Sequence, residues 1–312
     1  MQKIGILMGG FSSEREVSLK SGMAVKKALT GLGYDIIVID FNDVPELSRK
    51  LRSCNAQCIF NALHGGFGED GGVQEMLDQI GIPYTGSGVS ASRIAMDKIA
   101  SRKIFEASQI PVPAYAVFNK KASKNNGLDL SFPLVVKPSR EGSSIGLSIV
   151  DDPAALFVAL KNAFSFDDKV VVEEYIQGRE ITVGIIEDKP LPVLEIVSKN
   201  KFYDFQAKYT PGMSDYIVPA DLPKDIALLA QDTALKAHKL LGCRCFSRVD
   251  IMIESNGRPV VLEVNTIPGF TQTSLLPKSA AAAGIDFSVL CQIMIDSALK
   301  SESKEVAAST EH

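Results

Sequence analysis

The sequence has no excess of basic residues. Its 33 lysines and arginines stand against 37 acids, for a net charge of −4, and basic and aromatic residues are not interleaved as in proteins that bind single-stranded nucleic acid. We therefore expect no nucleic-acid partner. No apolar run is long enough to span a membrane, and the apolar start before Gly9 is too short for a signal peptide. These absences predict a cytoplasmic protein with no membrane partner.

Cysteine is scarce and forms no recognisable pattern. Five cysteines are an odd number without a disulfide framework, and Cys243-x-Cys245 lacks the spacing and the second ligand pair of a zinc site. We interpret all five as reduced core residues. The 312 residues are 46% hydrophobic, which is enough for a large core divided among two or three domains.

The most informative stretch is a predicted β-hairpin near the end of the chain. Two apolar runs, Val249–Ile253 and Pro259–Val264, flank the turn formers at 255–257. Alternating runs joined by such a turn are typical of a hairpin.

Polar residues interrupt both runs of this hairpin. Asp250 lies on the first strand, two residues after Arg248, and Glu263 and Asn265 lie on the second. Residues two apart on a strand share a face, so Glu263 and Asn265 point the same way. Their oxygens suit Mg²⁺, which usually combines one or two carboxylates with phosphate and water. The alternative is an exposed face whose acids keep the sheet edge soluble.

Strands and helices alternate in the first part of the chain. The predicted strands are 3–8, 34–40 and 58–63, and the predicted helices are 14–32 and 45–52. This order predicts a parallel sheet with a ligand site at the carboxyl ends of its strands, where the glycine loops at 9–13 and 64–66 fall. The first loop is not GxGxxG, so a dinucleotide site is not supported.

A glycine- and serine-rich loop at 139–146 follows a predicted buried strand, 132–138, that carries Lys137. Successive N–H groups in such a loop form a nest for phosphate oxygens, and Lys137 adds a point charge. A flexible linker is the alternative.

The remaining segments complete the predicted organisation. Further helices are expected at 96–108, 153–164, 227–241 and 287–299, and a strand at 169–176. We predict that His238 lies on a helix surface. Residues 200–219 are polar and long for a connection, which is typical of a functional loop, although an ordinary solvated loop has the same composition.

These segments resemble the D-alanine:D-alanine ligases of the ATP-grasp superfamily. The resemblance covers residues 3–299 in order, on GGFSSEREVSLKSG, ALHGGFGEDGGVQEMLDQIGIPYTGSG, KPSREGSSIG, YDFQAKYTPGMSDY, and RVDIMIE with VLEVNTIPG. It implies an amino-terminal parallel α/β domain over 1–95. The two α+β subdomains of an ATP-grasp fold would follow, at 96–180 and 181–312.

The resemblance implies ATP-dependent ligation of two D-alanine molecules through a D-alanyl phosphate, for peptidoglycan precursor synthesis, by a homodimer. The implied catalytic residues are Glu14, Ser143, Arg248 and Ser274, and the substrate-binding residues are His64, Tyr209, Gly269 and Leu275. The implied nucleotide-binding residues are Lys98, Lys137, Ser144, Glu173, Glu174, Ile176, Glu180 and Lys208. Asp250, Glu263 and Asn265 would hold Mg²⁺ or Mn²⁺, as two ions.

Other interpretations of these residues stay open. Glu14 also suits the dipole of the helix that it begins, and His64 also fits as a half-buried structural histidine. Another ATP-grasp ligase, including a D-alanine:D-lactate ligase, and a non-catalytic nucleotide-binding module are the alternative functions. A non-catalytic module would be expected to lose metal ligands, and all three are present. The chain departs from the family pattern at Glu75, Glu174 and Gln206.

Overall fold

The computed structural model of the protein describes residues 2–121, 129–198 and 214–310. The strands are β1 (Lys3–Leu7), β2 (Asp35–Ile39), β3 (Cys58–Asn61), β4 (Tyr115–Asn119), β5 (Leu134–Pro138), β6 (Ser148–Val150), β7 (Lys169–Glu174), β8 (Gly178–Ile186), β9 (Lys189–Pro190), β10 (Leu194–Ser198), β11 (Ser214–Ile217), β12 (Phe246–Glu254) and β13 (Pro259–Asn265). The helices are α1 (Arg15–Gly31), α2 (Val44–Ser53), α3 (Gly72–Ile80), α4 (Val89–Met96), α5 (Lys98–Ala107), α6 (Pro153–Ala163), α7 (Lys224–Leu240), α8 (Leu275–Ala282) and α9 (Phe287–Thr310). Gly66–Gly68 forms a short 3₁₀ turn.

The first sheet is parallel, with strand order β2-β1-β3. Its apolar residues share one core with the end of the chain, because Val25 and Leu29 of α1 pack with Leu290 and Met294 of α9. The predicted parallel α/β unit is confirmed, and the last helix closes its core.

The two other sheets in the described residues are antiparallel. The smaller one has the order β4-β7-β5-β6 and shares a core with α6. The larger one has the order β11-β10-β8-β12-β13, with β9 beside β8. This parallel-then-antiparallel arrangement is the predicted fold class.

Helix α7 covers one face of the larger sheet. Ile181 and Val183 of β8 and Val249 of β12 pack there against Ala230 and Ala234 of the helix. Because strand residues alternate between faces, their polar neighbours on β8, β12 and β13 point to the opposite face.

A β-bulge lies in the predicted hairpin. Asp250 pairs with Glu263, but Ile251 pairs with Val261, so that Leu262 is an extra residue on β13. Without it, strict alternation would place Val261 on the polar face together with Glu263. Bulges that re-aim a side chain are common beside functional sites.

Gly184 of β8 determines where α8 lies. A Cβ atom there would come within 2.5 Å of Leu276 Cδ1 and 3.0 Å of Leu191 Cδ1, and both leucines are buried. Glycine therefore lets the first turn of α8 pack directly on the polar face of the sheet.

Three local predictions require correction. The helix expected at 96–108 is found as α5 but begins at Lys98, because the carboxylate of Asp97 accepts hydrogen bonds from the Ile99 and Ala100 N–H groups as an N-cap, and Met96 instead ends α4. Helix α4 itself was not expected. The long loop predicted at 200–219 contains strand β11, which pairs with β10, and residues 200–213 of it lie outside the described residues.

His238 is the third correction, because it is fully buried and not on the helix surface. Its Nδ1 lies 2.7 Å from Ser247 Oγ on β12. Burial lowers the pKa of His238 to about 4, so the ring is neutral at physiological pH.

Within the described residues, no single helix is long and apolar enough to cross a membrane. One bent pair, Leu275–Ala282 with Phe287–Lys300, meets the length and composition test only in combination, with a bend of 103°.

Candidate active site

The polar face of the hairpin is the centre of the site. Asp250 faces Glu263 across the strands, and Arg248 faces Asn265. The Arg248 guanidinium donates two hydrogen bonds to the Asp250 carboxylate, at 2.8 and 2.7 Å. Thr182 of β8 donates a further one at 2.7 Å. Arg248 and Thr182 therefore hold the Asp250 carboxylate from two sides, and Asp250 in turn holds the Arg248 guanidinium in place.

Lys98 brings helix α5 to this face. Its ammonium lies 3.5 Å from Glu263 Oε2 and donates to the Glu141 carbonyl oxygen at 2.6 Å. The Lys98 backbone N–H also donates to the Ser139 carbonyl oxygen at 3.0 Å. One residue thus connects the hairpin to the glycine- and serine-rich loop.

Lys137 on β5 belongs to a buried group of three charges. Its ammonium lies 2.7 Å from one oxygen of Glu173 on β7, and Arg102 of α5 forms an ion pair with the other oxygen. Burial lowers the pKa of Lys137, although Glu173 opposes that shift. Burial alone would raise the pKa of Glu173, but Arg102 and Lys137 reverse this and lower it.

The loop at 139–146 has an unusual backbone conformation. Ser143 and Ser144 both adopt positive φ, 51° and 59°, a region that residues other than glycine rarely occupy. The Ile145 N–H donates to the Gly142 carbonyl oxygen at 3.0 Å and closes the turn. Strained backbone of this kind is concentrated at ligand sites.

Ser143 also connects this loop to the first domain. Its hydroxyl donates a short hydrogen bond to the Glu14 carboxylate just before α1. Glu14 is 7% exposed, and its N–H donates to Ser12 Oγ, which in turn donates to the His64 carbonyl oxygen. Ser12 thereby joins the two glycine loops of the first sheet.

Ser21 links α1 to the loop that follows the hairpin. The Phe270 N–H donates to Ser21 Oγ at 3.2 Å, and His64 Nε2 lies 2.9 Å from the same oxygen. His64 is 4% exposed, and its ring reaches this loop through Ser21 Oγ.

The first turn of α8 lies at the end of this loop. Ser274 is its N-cap residue, but the hydroxyl accepts a hydrogen bond from the Thr271 N–H at 3.1 Å and makes none with the helix. A Cβ atom on Gly269 would lie 3.3 Å from Ser274 Oγ. Unsatisfied N–H groups at a helix start favour anions such as carboxylates.

Two adjoining clefts result from this packing. The first is lined by eight predicted site residues, namely Glu14, His64, Lys98, Ser143, Arg248, Glu263, Asn265 and Gly269. The second is lined by six, namely Lys98, Lys137, Ser144, Glu180, Asp250 and Glu263. Lys98, Glu141 and Glu263 line both. The two clefts therefore adjoin at these three residues.

Five other predicted residues lie beside the clefts or outside the described part of the chain. Glu174 ends β7 and is exposed, and Ile176 is 7% exposed. Leu275 packs beneath α8 against Leu194 and Ile196. Lys208 and Tyr209 fall outside the described residues, as does Gln206.

Sequence reasoning missed four residues that support the site: Thr182, Ser21, Glu141 and Arg102. A threonine in an apolar strand and a serine in a helix carry no local signal, since their partners lie 68 and 249 residues away. The spacing of Lys98 and Arg102 was the one available clue, because residues four apart share a helix face.

The hairpin oxygens fit a hard divalent cation. Asp250, Glu263 and Asn265 offer oxygen donors only, which Mg²⁺ prefers. The part of the chain that the structure describes contains no group of three or more His, Cys, Asp or Glu side chains that could hold a metal ion. This donor set therefore depends on further oxygens from a ligand, as is usual for Mg²⁺ with phosphates.

Comparison with protein families identifies relatives over most of the chain. The family described as D-ala D-ala ligase N-terminus matches residues 41–87, and D-ala D-ala ligase C-terminus matches residues 104–296. A D-alanine–D-alanine ligase from Syntrophotalea carbinolica is 48% identical over 291 residues, 93% of this chain and 94% of that one.

Solved structures agree with this result. The D-alanine–D-alanine ligase from Bacillus anthracis complexed with ATP superposes with a TM-score of 0.87 at 38% identity, covering 98% of this chain and 100% of that one. The VanG D-Ala:D-Ser ligase from Enterococcus faecalis superposes with a TM-score of 0.80 at 30% identity, over 95% and 98% of the two chains. The ATP-grasp fold that the sequence resemblance implied is confirmed.

The Ser21 contact predicts a local effect of mutation. Ser21→Ala should speed hydrogen exchange at the Phe270 amide and cost about 1–3 kcal/mol, because a buried N–H loses its acceptor. Ser18→Ala is a matched control, since Ser18 is equally buried on α1 but bonds Gly9 and Ala62. Exchange at Phe270 that is unchanged in Ser21→Ala, or equally faster in both variants, would contradict the proposed link.

Proposed function

The chain belongs to the D-alanine–D-alanine ligase family, and we propose that it joins two D-alanine molecules into D-alanyl-D-alanine at the expense of ATP. The observation that carries this proposal is the shared wall of Lys98, Glu141 and Glu263 between the two clefts. A carboxylate in the first cleft and a terminal phosphate in the second would meet there.

The first cleft suits the first D-alanine. Glu14 offers a buried carboxylate for its ammonium, held in place by Ser143. The substrate carboxylate would then face the shared wall near Lys98. An oxygen of this carboxylate attacks the γ-phosphorus of ATP, the bond to the β-phosphate oxygen breaks, and D-alanyl phosphate and ADP result.

The second cleft suits the triphosphate. Lys98, Lys137 and the nest at 142–144 supply cations and N–H groups, and phosphoryl transfer depends mainly on positioning and charge neutralisation. Asp250, Glu263 and Asn265 would hold one or two Mg²⁺ or Mn²⁺ ions, which would neutralise phosphate charge. Glu180, on the same face of β8 as Thr182, is proposed to contact the ribose.

The second step needs an acceptor site and an oxyanion site. We place the carboxylate of the second D-alanine at the start of α8, on Ser274 and the Leu275 N–H. Its amine attacks the acyl carbon, and inorganic phosphate leaves. Arg248 and the Gly269 N–H are the proposed oxyanion donors, and each such donor is typically worth about 2.7–4 kcal/mol.

Several finer assignments stay predictions. These are the lid contacts of Lys208 and Tyr209, the base contacts of Glu173, Glu174 and Ile176, the role of His64 beside the first substrate, the domain boundaries, the homodimer and the cytoplasmic location. The proposed use of ATP supports the cytoplasmic location.

The proposed function is tested by phosphate release with ATP across D-alanine, D-serine and D-lactate, with products resolved by mass. We expect D-alanyl-D-alanine as the main product. If the main product contains D-serine or D-lactate as the acceptor, the chain is a D-alanine:D-serine or D-alanine:D-lactate ligase instead. Absence of phosphate release with every acid would refute the ligase activity.

The metal assignment predicts that Glu263→Gln abolishes turnover while the protein stays folded, because charge on the phosphates would go unneutralised. Glu254→Gln is the matched control, since Glu254 lies on the same hairpin and pairs with Arg258. Activity of Glu263→Gln within about tenfold of wild type, a loss of about 1.4 kcal/mol, would remove Glu263 from the metal site.

A further inference from the structure

We propose that Arg102 is a positioning residue of the nucleotide cleft, which holds Glu173 so that the charge of Lys137 stays available to the phosphates of ATP. This inference rests on the proposed use of ATP. It concerns a residue that does not line either cleft.

Geometry places Arg102 behind the cleft. Lys98 and Arg102 lie four residues apart on α5 and so share a helix face; Lys98 reaches Glu263, and Arg102 reaches Glu173. Arg102 and Glu173 are each 2% exposed. Arg102 takes one oxygen of the Glu173 carboxylate and Lys137 takes the other, so the carboxylate has a fixed orientation.

The balance of charge gives this arrangement a function. Lys137 and Glu173 alone would form a neutral pair, and the lysine would then attract a phosphate weakly. With Arg102 the three side chains carry one net positive charge when Lys137 is protonated, and Arg102 itself opposes that protonation because it lowers the pKa of Lys137. Burying unbalanced charge is costly, and a bound anion on Lys137 relieves that cost.

Stability alone does not explain Arg102. Buried ion pairs are often no more stable than apolar residues of the same size. Within the described residues Nε, Nη1 and Nη2 of Arg102 make no hydrogen bond, and Nη2 forms only the ion pair with Glu173. The guanidinium instead stacks on the Tyr115 ring at 5.1 Å. A planar guanidinium that can stack on a ring while its N–H groups face a carboxylate is specific to arginine, whereas lysine supplies only the charge.

The experiment compares the affinities of Arg102→Met for ATP and for adenosine, by calorimetry on the full chain. We expect ATP to bind about tenfold more weakly, whereas adenosine, which lacks phosphates, should change less than about twofold. The KM for D-alanine should stay unchanged. Arg93→Met is the matched control, because Arg93 is an exposed arginine paired with Glu75, and its removal should affect neither ligand.

Arg102→Lys keeps the charge without the fork and should recover most of the ATP affinity. If the methionine variant does not fold, Arg102→Gln, which removes the charge but keeps a planar polar group, replaces it in the same comparison of ATP with adenosine. Unchanged ATP affinity in Arg102→Met, or equal losses for ATP and adenosine in either variant, would overturn the inference. Wild-type phosphate release with D-alanine is measured in parallel, so that failure of the ligase activity is recognised separately.

Discussion

The site depends on keeping two like charges on facing positions of one hairpin. Asp250 and Glu263 are cross-strand neighbours, and facing carboxylates repel. Each is compensated by a different cation, Arg248 from the same strand and Lys98 from helix α5. Because Lys98 also donates a hydrogen bond to the Glu141 carbonyl oxygen, balancing the hairpin charges fixes the loop at 139–146 against the large sheet.

Hydrogen bonds between distant segments attach other parts of the site to this centre. Ser143 joins the loop at 139–146 to Glu14, which precedes α1, and Ser21 joins α1 to the loop at Phe270. Each contact crosses between segments that are far apart in the chain. A displacement of any one segment would therefore change the geometry of both clefts. This coupling suits a two-step reaction in which an acyl phosphate formed with ATP then reacts with a second amino acid.

Much of this could be predicted from the sequence, because the relevant signals are local. The hairpin followed from alternating apolar residues and a turn, and the parallel sheet followed from alternating elements. The bulge at Leu262, the break at Asp97 and the burial of His238 were not predicted. Each depends on packing: the alternation looks regular with or without an extra residue, and a histidine on an amphipathic helix is buried only if a partner such as Ser247 faces it. Arg102 was missed for the same reason.

The central claim is that a carboxylate in the first cleft attacks the phosphate in the second. The most direct test supplies D-alanine labelled with ¹⁸O in its carboxylate, together with ATP, and measures the mass of the inorganic phosphate released. Our account predicts that the phosphate formed with each dipeptide carries one labelled oxygen, because the acyl phosphate gives up that oxygen when the amine displaces it. Dipeptide formed together with unlabelled phosphate would contradict the account.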